Sequence, residues 1–306
     1  MIGLTLKHLR YFDALARQQH FGRAAETCAI SQPALSLQIK ELEAMLGSPL
    51  VERGSRQIRL TALGEEFWAR ARKILLSVDE LDDLVRAADS VLSGRLRLGL
   101  IPTVAPYLLP EMMRALSVRF PGLELLPRET VTKSLIEDLL DSRLDAAVVA
   151  LPISEPSLQE FALFDEDFVL VRPSTEAGKP VPSPDNLQKM RLLLLEEGHC
   201  FRDQALSFCN VANAEPKYMM EGSSLSTLVQ MVGAGLGLTL IPEMAVSLES
   251  RAASVSVARF PAPSPSRTIG LVWRKSNPLA KQLMEFGAVV RTVGQSKGRV
   301  RSGPSH

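Results

Sequence analysis

Residues 21–43 read Phe-Gly-Arg-Ala-Ala-Glu-Thr-Cys-Ala-Ile-Ser-Gln-Pro-Ala-Leu-Ser-Leu-Gln-Ile-Lys-Glu-Leu-Glu. The stretch divides at Ala29 and Ile30 into a short helix through Cys28, a tight turn, and a second helix opening at Ser31. Ser31 carries the hydroxyl of a helix N-cap, and Pro33 suits the first turn, where its missing N–H is not needed. Leu35, Ile39, Leu42 and Leu46 recur at helical spacing and form the stripe that turns inward. Ala24 and Ala25 are small enough to let two helices cross closely. Leu9, Phe12, Leu15 and Ala16 mark a preceding helix. Together these features predict a helix-turn-helix whose second helix presents Gln32, Ser36, Gln38 and Lys40.

Working outward, Arg53, Arg56 and Arg59 lie in a glycine-containing stretch, residues 51–60, that reads as a two-stranded wing. Residues 1–60 hold eight Lys/Arg against five Asp/Glu, a net of +3, whereas the whole chain of 306 residues is formally +1. Positive charge is therefore local, which suits contact with phosphates or a groove of duplex DNA and excludes a histone-like coating. Aromatics make up only 5%, too few for base-stacking modes of nucleic-acid binding.

From Ala62 the pattern becomes one long helix. Phe67, Ala71, Ile74, Val78, Leu81, Val85, Ala88 and Leu92 alternate in steps of four and three, the seam of a coiled coil. About thirty residues give a rod of about 45 Å. Such a stripe needs a partner helix, and two copies joined there would present two recognition helices to one palindromic site. After Ser93 and Gly94 the period changes to βαβαβ, with strands at 95–101, 123–129 and 146–151, which implies a parallel sheet. A second set begins near Phe164, with strands at 168–172 and 191–196, a helix from 201 and another at 224–234. The strand 268–273 and the last helix, from Leu279 to about Val293, return to the first lobe. The expected organisation is a DNA-binding domain at 1–61, a linker helix at 62–93 and a regulatory domain at 94–294. Its lobes are 94–164 with 268–294, and 165–267; a disordered tail, 295–306, follows. Two α/β lobes joined by crossing strands make a cleft for ligands.

Conventional enzyme chemistry has little footing. The four histidines and three cysteines show no zinc spacing, and no phosphate loop or nucleophile elbow is present. We expect no metal and no cofactor. Cys28, Cys200 and Cys209 are too few for a secreted disulfide framework. Cys28 reads as a packed core thiol. The N-terminal residues lack a signal peptide's apolar stretch, and no run spans a membrane, so we expect a cytoplasmic protein without membrane contact.

The core Ser31-Gln32-Pro33-Ala34-Leu35-Ser36 resembles the DNA-binding domain of LysR-type transcriptional regulators. The resemblance runs through the linker helix, Phe120-Pro121-Gly122-Leu123-Glu124, Leu144-Asp145-Ala146 and the segment Gly233 to Pro242, covering about residues 4–293. It implies an all-α winged helix-turn-helix with a long linker helix, and a two-lobed α/β regulatory domain like type 2 periplasmic binding proteins. It also implies a homotetramer built as a dimer of dimers, with promoter DNA and RNA polymerase as partners. Gln32, Pro33, Ser36, Gln38, Lys40, Arg53 and Arg56 would contact the DNA. Leu37 stands where many of these regulators have arginine.

Within the family the chain is most similar to the peroxide-sensing members. The likeness lies in Gly99 to Pro110, Arg267 to Val272, and above all Leu195 to Cys209, because most of the family has no cysteine pair there. Arg128 stands where some relatives have histidine. The resemblance implies that Cys200 is peroxidatic and Cys209 resolving, with Thr103, Thr132, His199, Gln204 and Arg267 lining the peroxide pocket. It further implies hydrogen peroxide as the signal, antioxidant genes as targets and a glutaredoxin- or thioredoxin-type reductant for reset. A reactive thiol needs nearby positive charge or hydrogen-bond donors, for which His199, Arg202 and Arg267 are candidates. If 201–209 is helical when reduced, the two α-carbons stand ~13 Å apart, whereas a disulfide needs about 7 Å. Oxidation would then refold the segment between them. Two rival readings are a regulator answering to a small organic inducer in the cleft, and a thiol peroxidase with a DNA-binding appendage. The first predicts that Cys200→Ser keeps its response, the second repeated turnover with a supplied reductant.

Overall fold

The computed structural model describes residues 3–52, 58–87, 91–187, 189–208, 220–251 and 253–298. The chain forms two compact units, Met1–Val85 and Arg86–His306.

In the first unit Thr5 caps α1 (Leu6–Gln18), its hydroxyl accepting from the His8 N–H while the His8 ring accepts from the Thr5 N–H. Helix α2 (Phe21–Thr27) ends at Cys28, and Ala29 takes the left-handed conformation that turns the chain. Helix α3 (Gln32–Leu46) is capped by Ser31, which accepts from the Ala34 N–H at 3.3 Å, and closes on left-handed Gly47. Phe12, Leu15, Ala24, Leu35, Ile39 and Leu42 are fully or almost fully buried between the three helices. Strands β1 (Val51–Glu52) and β2 (Arg59–Leu60) pair antiparallel as the base of a wing. The buried Glu43 carboxylate accepts from the N–H groups of Leu50 and Val51, which ties the wing to α3. Helix α4 (Ala62–Ala87) starts at a close approach: a Cβ on Gly64 would lie 2.1 Å from the Leu50 carbonyl oxygen, so only glycine fits. Trp68 and Phe67 of α4 fasten it to α1 through a 2.8 Å hydrogen bond to Asp13 and an edge contact with Phe12. Further along, Ile74 and Leu81 of the predicted seam are exposed, while Ala88 lies outside the described residues.

The second unit begins with β3 (Gly94–Leu100), α5 (Ala105–Arg119), β4 (Leu123–Glu129), α6 (Thr132–Leu140) and β5 (Ala146–Leu151). Strand β3 pairs parallel with both β4 and β5, the arrangement that βαβ connections require. Next comes β6 (Leu158–Pro173), then a turn of 3-10 helix, α7 (Pro184–Leu187), β7 (Leu193–Leu195), α8 (Cys200–Phe208), β8 (Met220–Gly222) and α9 (Leu225–Gly233). The chain continues through β9 (Thr239–Pro242), α10 (Val246–Glu249), β10 (Val255–Arg259), β11 (Ser266–Arg274) and α11 (Ala280–Gly298). The main sheet runs β10-β6-β11-β5-β3-β4, with β9 also on β6. In the second lobe β7 and β8 pair parallel.

Two differences from the sequence reading, at β6 and at α11, have physical reasons. The sequence places a strand at 168–172, but β6 starts at Leu158 and runs for 16 residues; Gln159, Glu160 and Asp165 break the apolar alternation that would have revealed it. Strand β6 pairs with β11 over Leu158–Asp167 and with β9 and β10 from Phe168 on, so it belongs to both sets of strands, while β11 pairs with β5 as well as β6. Helix α11 continues to Gly298, past the expected start of the tail at 295, because Gly294 lets it lie directly on Phe164; a Cβ there would come within 2.0 Å of that ring.

Candidate functional site

The first candidate surface is the outer side of α3. Burying Leu35, Ile39 and Leu42 turns Gln32, Pro33 and Lys40 to solvent, with Ser36 and Gln38 half-buried between the two sides. The Gln38 amide is held by Glu41 at 2.6 Å. Leu37 is 56% exposed on the same side, an apolar residue that the list of DNA contacts omitted and that helical spacing from Pro33 would have found. Arg53 and Arg56 lie outside the described residues.

The second candidate surrounds Cys200. Strand β7 delivers the chain to left-handed Gly198, and Cys200 is the first residue of α8. The thiol is half-buried and lines a cavity of about 640 Å³ together with Thr132 and Lys133 of α6, Leu151 of β5, and Asp203 and Gln204 of α8. Two further lining atoms stand out: the Thr132 Oγ1 and Gln204 Oε1 are buried and have no hydrogen-bond partner among the described residues. An unpaired buried polar atom costs about 1–3 kcal/mol, so two of them in the cavity that Cys200 lines are groups a small ligand could satisfy.

Thr103 and Arg267 form a separate network next to this cavity. The Arg267 Nη1 donates to the Thr103 Oγ1 at 2.8 Å and its Nη2 to the Thr103 carbonyl at 3.1 Å. Its Nε and Nη2 also donate to the Glu166 Oε2 at 2.9 and 2.8 Å, and both side chains of that pair are almost fully buried. The other Glu166 oxygen accepts from the Met244 N–H. Burial pushes the Glu166 carboxyl upward, and the Arg267 guanidinium pulls it back. Arg267 lies over the Phe201 ring at 5.3 Å, and Phe201 packs edge-on against Phe168, so the network touches α8 one residue from the thiol. Glu166 was missed by the sequence reading; it stands 101 residues from its partner and no local pattern announces it.

The expected positive charges behave differently. Burial lowers His199 below the usual histidine value, with Glu196 partly opposing, so the ring is neutral at pH 7. Arg202 turns to the Leu195 carbonyl at 2.8 Å and to Glu221 at 2.6 Å. Arg267 is matched by Glu166. Each of these three is thus neutral or already paired, which leaves Lys133 of the cavity wall and the donors at the first turn of α8 to favour negative charge there. Arg128 pairs with Asp138 at 2.9 Å. Cys209 lies outside the described residues. Among the described residues no group of three His, Cys, Asp or Glu could hold a metal ion, and no helix is long and apolar enough to cross a membrane.

A capped helix-turn-helix with a wing, joined to a two-lobed α/β unit, defines a class. Residues 6–65 match the bacterial regulatory helix-turn-helix protein, lysR family, and residues 89–295 match the LysR substrate binding domain. The chain belongs to the LysR family of bacterial transcriptional regulators. It is 39% identical over 290 residues to the DNA-binding transcriptional dual regulator OxyR of Escherichia coli, covering 94% of this chain and 95% of the relative. It is also 42% identical over 291 residues to a probable hydrogen peroxide-inducible genes activator of Streptomyces viridosporus, covering 94% and 93%. Among solved structures, full-length OxyR of Pseudomonas aeruginosa with a cysteine-to-aspartate change matches at TM-score 0.76 and 36% identity, over 98% of this chain and 99% of that one. A cysteine-to-serine mutant of Corynebacterium glutamicum OxyR with hydrogen peroxide bound matches at TM-score 0.67 and 35% identity, over 96% and 93%.

Proposed function

We propose that this regulator senses hydrogen peroxide through Cys200 and controls antioxidant genes by binding promoter DNA through α3 and the wing. The observation that carries the reading is the pairing of a half-buried thiol at a helix N-terminus with two buried, unpartnered oxygens in one cavity. Thr132 and Gln204 bond the peroxide and hold it against the sulfur. The Cys200 thiolate attacks one peroxide oxygen, the O–O bond breaks, and hydroxide leaves; the product is a sulfenic acid. The Cys209 thiol then condenses with it, releasing water and leaving a disulfide. A glutaredoxin- or thioredoxin-type dithiol resets it. Thr103 and Arg267 act from behind, fixing Phe201 and with it the first turn of α8.

The helical state of residues 200–208 supports a refolding switch. Eight steps along α8 rise ~12 Å, beyond the about 7 Å that a disulfide allows. Oxidation therefore unwinds α8 and gives up the edge contacts of Phe201 on Phe168 and Phe208 on Phe260. In a dimer of dimers joined through the exposed seam of α4, this shift repositions the DNA-binding pairs relative to promoter and RNA polymerase.

The test is one equivalent of hydrogen peroxide added to the reduced protein, followed by non-reducing peptide mapping. A Cys200–Cys209 disulfide within seconds, absent from Cys200→Ser, is the expected result. A protein that stays fully reduced overturns the reading and returns the cavity to an organic inducer.

A further inference from the structure

We propose that Leu37 reads the C5-methyl group of a thymine in the major groove, so that α3 prefers thymine at one position of each half-site. The inference rests on the reading of α3 as the helix that contacts DNA, and adds which base it selects. Of the large apolar side chains of α3, Leu35, Ile39 and Leu42 are buried and Leu46 packs against the same core, whereas Leu37 is 56% exposed. It follows Gln32, the first residue of α3, by five positions. That is a rise of ~7.5 Å, within the N-terminal turns with which a recognition helix meets base edges. Its neighbours one turn away are Pro33 and Ala34 before it and Lys40 and Glu41 after it, all exposed. Leu37 therefore ends an exposed apolar row, Pro33, Ala34 and Leu37, that gives way to charge at Lys40 and Glu41.

A leucine offers neither a donor nor an acceptor. The major-groove edges of the four base pairs differ in their donors and acceptors and in one apolar group, the thymine methyl. Set against the O6 and N7 of guanine or the N4 amine of cytosine, an isobutyl group strips water from polar atoms and returns no hydrogen bond, which is unfavourable. Set against thymine, it withdraws methyl from water on both sides, which is favourable. Thymine and cytosine have the same ring shape, so Leu37 separates them by chemistry alone. Hydrogen-bonded readout falls to its polar neighbours Gln32 and Ser36. The contact displaces no counter-ion from the phosphates, so its contribution is independent of salt, unlike that of Lys40 or the wing arginines.

The experiment uses the full-length protein and a duplex that it selects from a random DNA pool. Each thymine of that duplex is replaced in turn by 2′-deoxyuridine, which pairs identically and lacks only the methyl, and Kd is read by fluorescence anisotropy. At one thymine of a half-site the replacement should weaken the wild type by about fourfold, the worth of one methylene-sized group withdrawn from water. That ratio should hold as salt is raised, while the affinity itself falls. Cytosine at the same position should cost about tenfold or more, and 5-methylcytosine should recover part of the loss. Leu37→Ala should bind the thymine and deoxyuridine duplexes alike and gain nothing from 5-methylcytosine, whereas Leu37→Arg should turn the preference at that position to guanine. The deoxyuridine scan needs no variant: a wild type indifferent to every thymine methyl overturns the proposal and leaves the DNA-binding reading of α3 standing. A folded Leu37→Ala that keeps the full methyl effect at every thymine also overturns it, because another residue then makes the contact. A wild type that selects no duplex overturns the DNA-binding reading, and this inference with it.

Discussion

Cys28 and Cys200 are both half-buried and each packs against an apolar core, yet Cys200 alone of the two lines the cavity at α8. Cys28 closes α2 inside the helix-turn-helix, packed against the apolar cluster of Phe12, Leu35 and Ile39. Burial, with Asp13 adding to it, pushes the Cys28 thiol above the ordinary cysteine value. Cys200 opens α8 and lines a cavity that Thr132, Asp203 and Gln204 share with apolar residues. Two thiols of the same exposure class thus differ in what lies beside them, and the neighbours are what the proposed reactivity of Cys200 rests on.

The largest expected effect tests that contrast directly. Cys200→Ser should abolish peroxide-dependent disulfide formation and any redox-dependent change in DNA binding, whereas Cys28→Ser should leave both intact; footprinting of reduced and oxidised protein on the same promoter reads them out. Loss of the response in Cys28→Ser would break the comparison. The shift of Cys28 also fixes the direction of its pH dependence: iodoacetamide should modify it slowly at neutral pH, the rate rising only as pH climbs past the ordinary cysteine range.

The next effect separates the scaffolds that hold the two thiols. Glu166→Ala strands a buried Arg267 and should destabilise the regulatory unit by about 3–5 kcal/mol, with the helix-turn-helix unit unaffected; urea denaturation followed by hydrogen exchange resolves the units. Ser31→Ala should act on the other side only, costing the DNA-binding unit about 1 kcal/mol through loss of the α3 cap. The smallest effect concerns His199. Its pKa is lowered on folding, so its contribution to stability is present above pH 6.5 and is lost as pH falls through the lower folded-state value. His199→Gln should flatten the acid side of the stability profile by no more than one proton's worth, measured by thermal melting between pH 5 and 7.

How much could be read from the chain follows from how far apart the partners lie. Ser31, Ala29 and the leucine stripe of α3 act on neighbours within a turn or two, so the helix-turn-helix was legible residue by residue. The parallel strands were legible from their apolar runs, and the return of β11 from its lack of a sheet elsewhere. The sensor was different: Cys200, Thr132 and Gln204 were picked out by likeness to a family, since nothing in local spacing brings α6 to α8. Glu166 escaped altogether because it meets Arg267 and Met244 only through folding, 101 and 78 residues away.

The continuity of β6 has a mechanical consequence. Over Leu158–Asp167 it is registered against β11, residue for residue apart from one bulge, and from Phe168 it runs on, paired with β9 and β10, into the other half of the regulatory unit. A single slack loop would let those halves flex independently and dissipate motion as heat. A paired ribbon resists shear and carries torque, so a change of shape in one half reaches the other as rotation, with little lost in the joint.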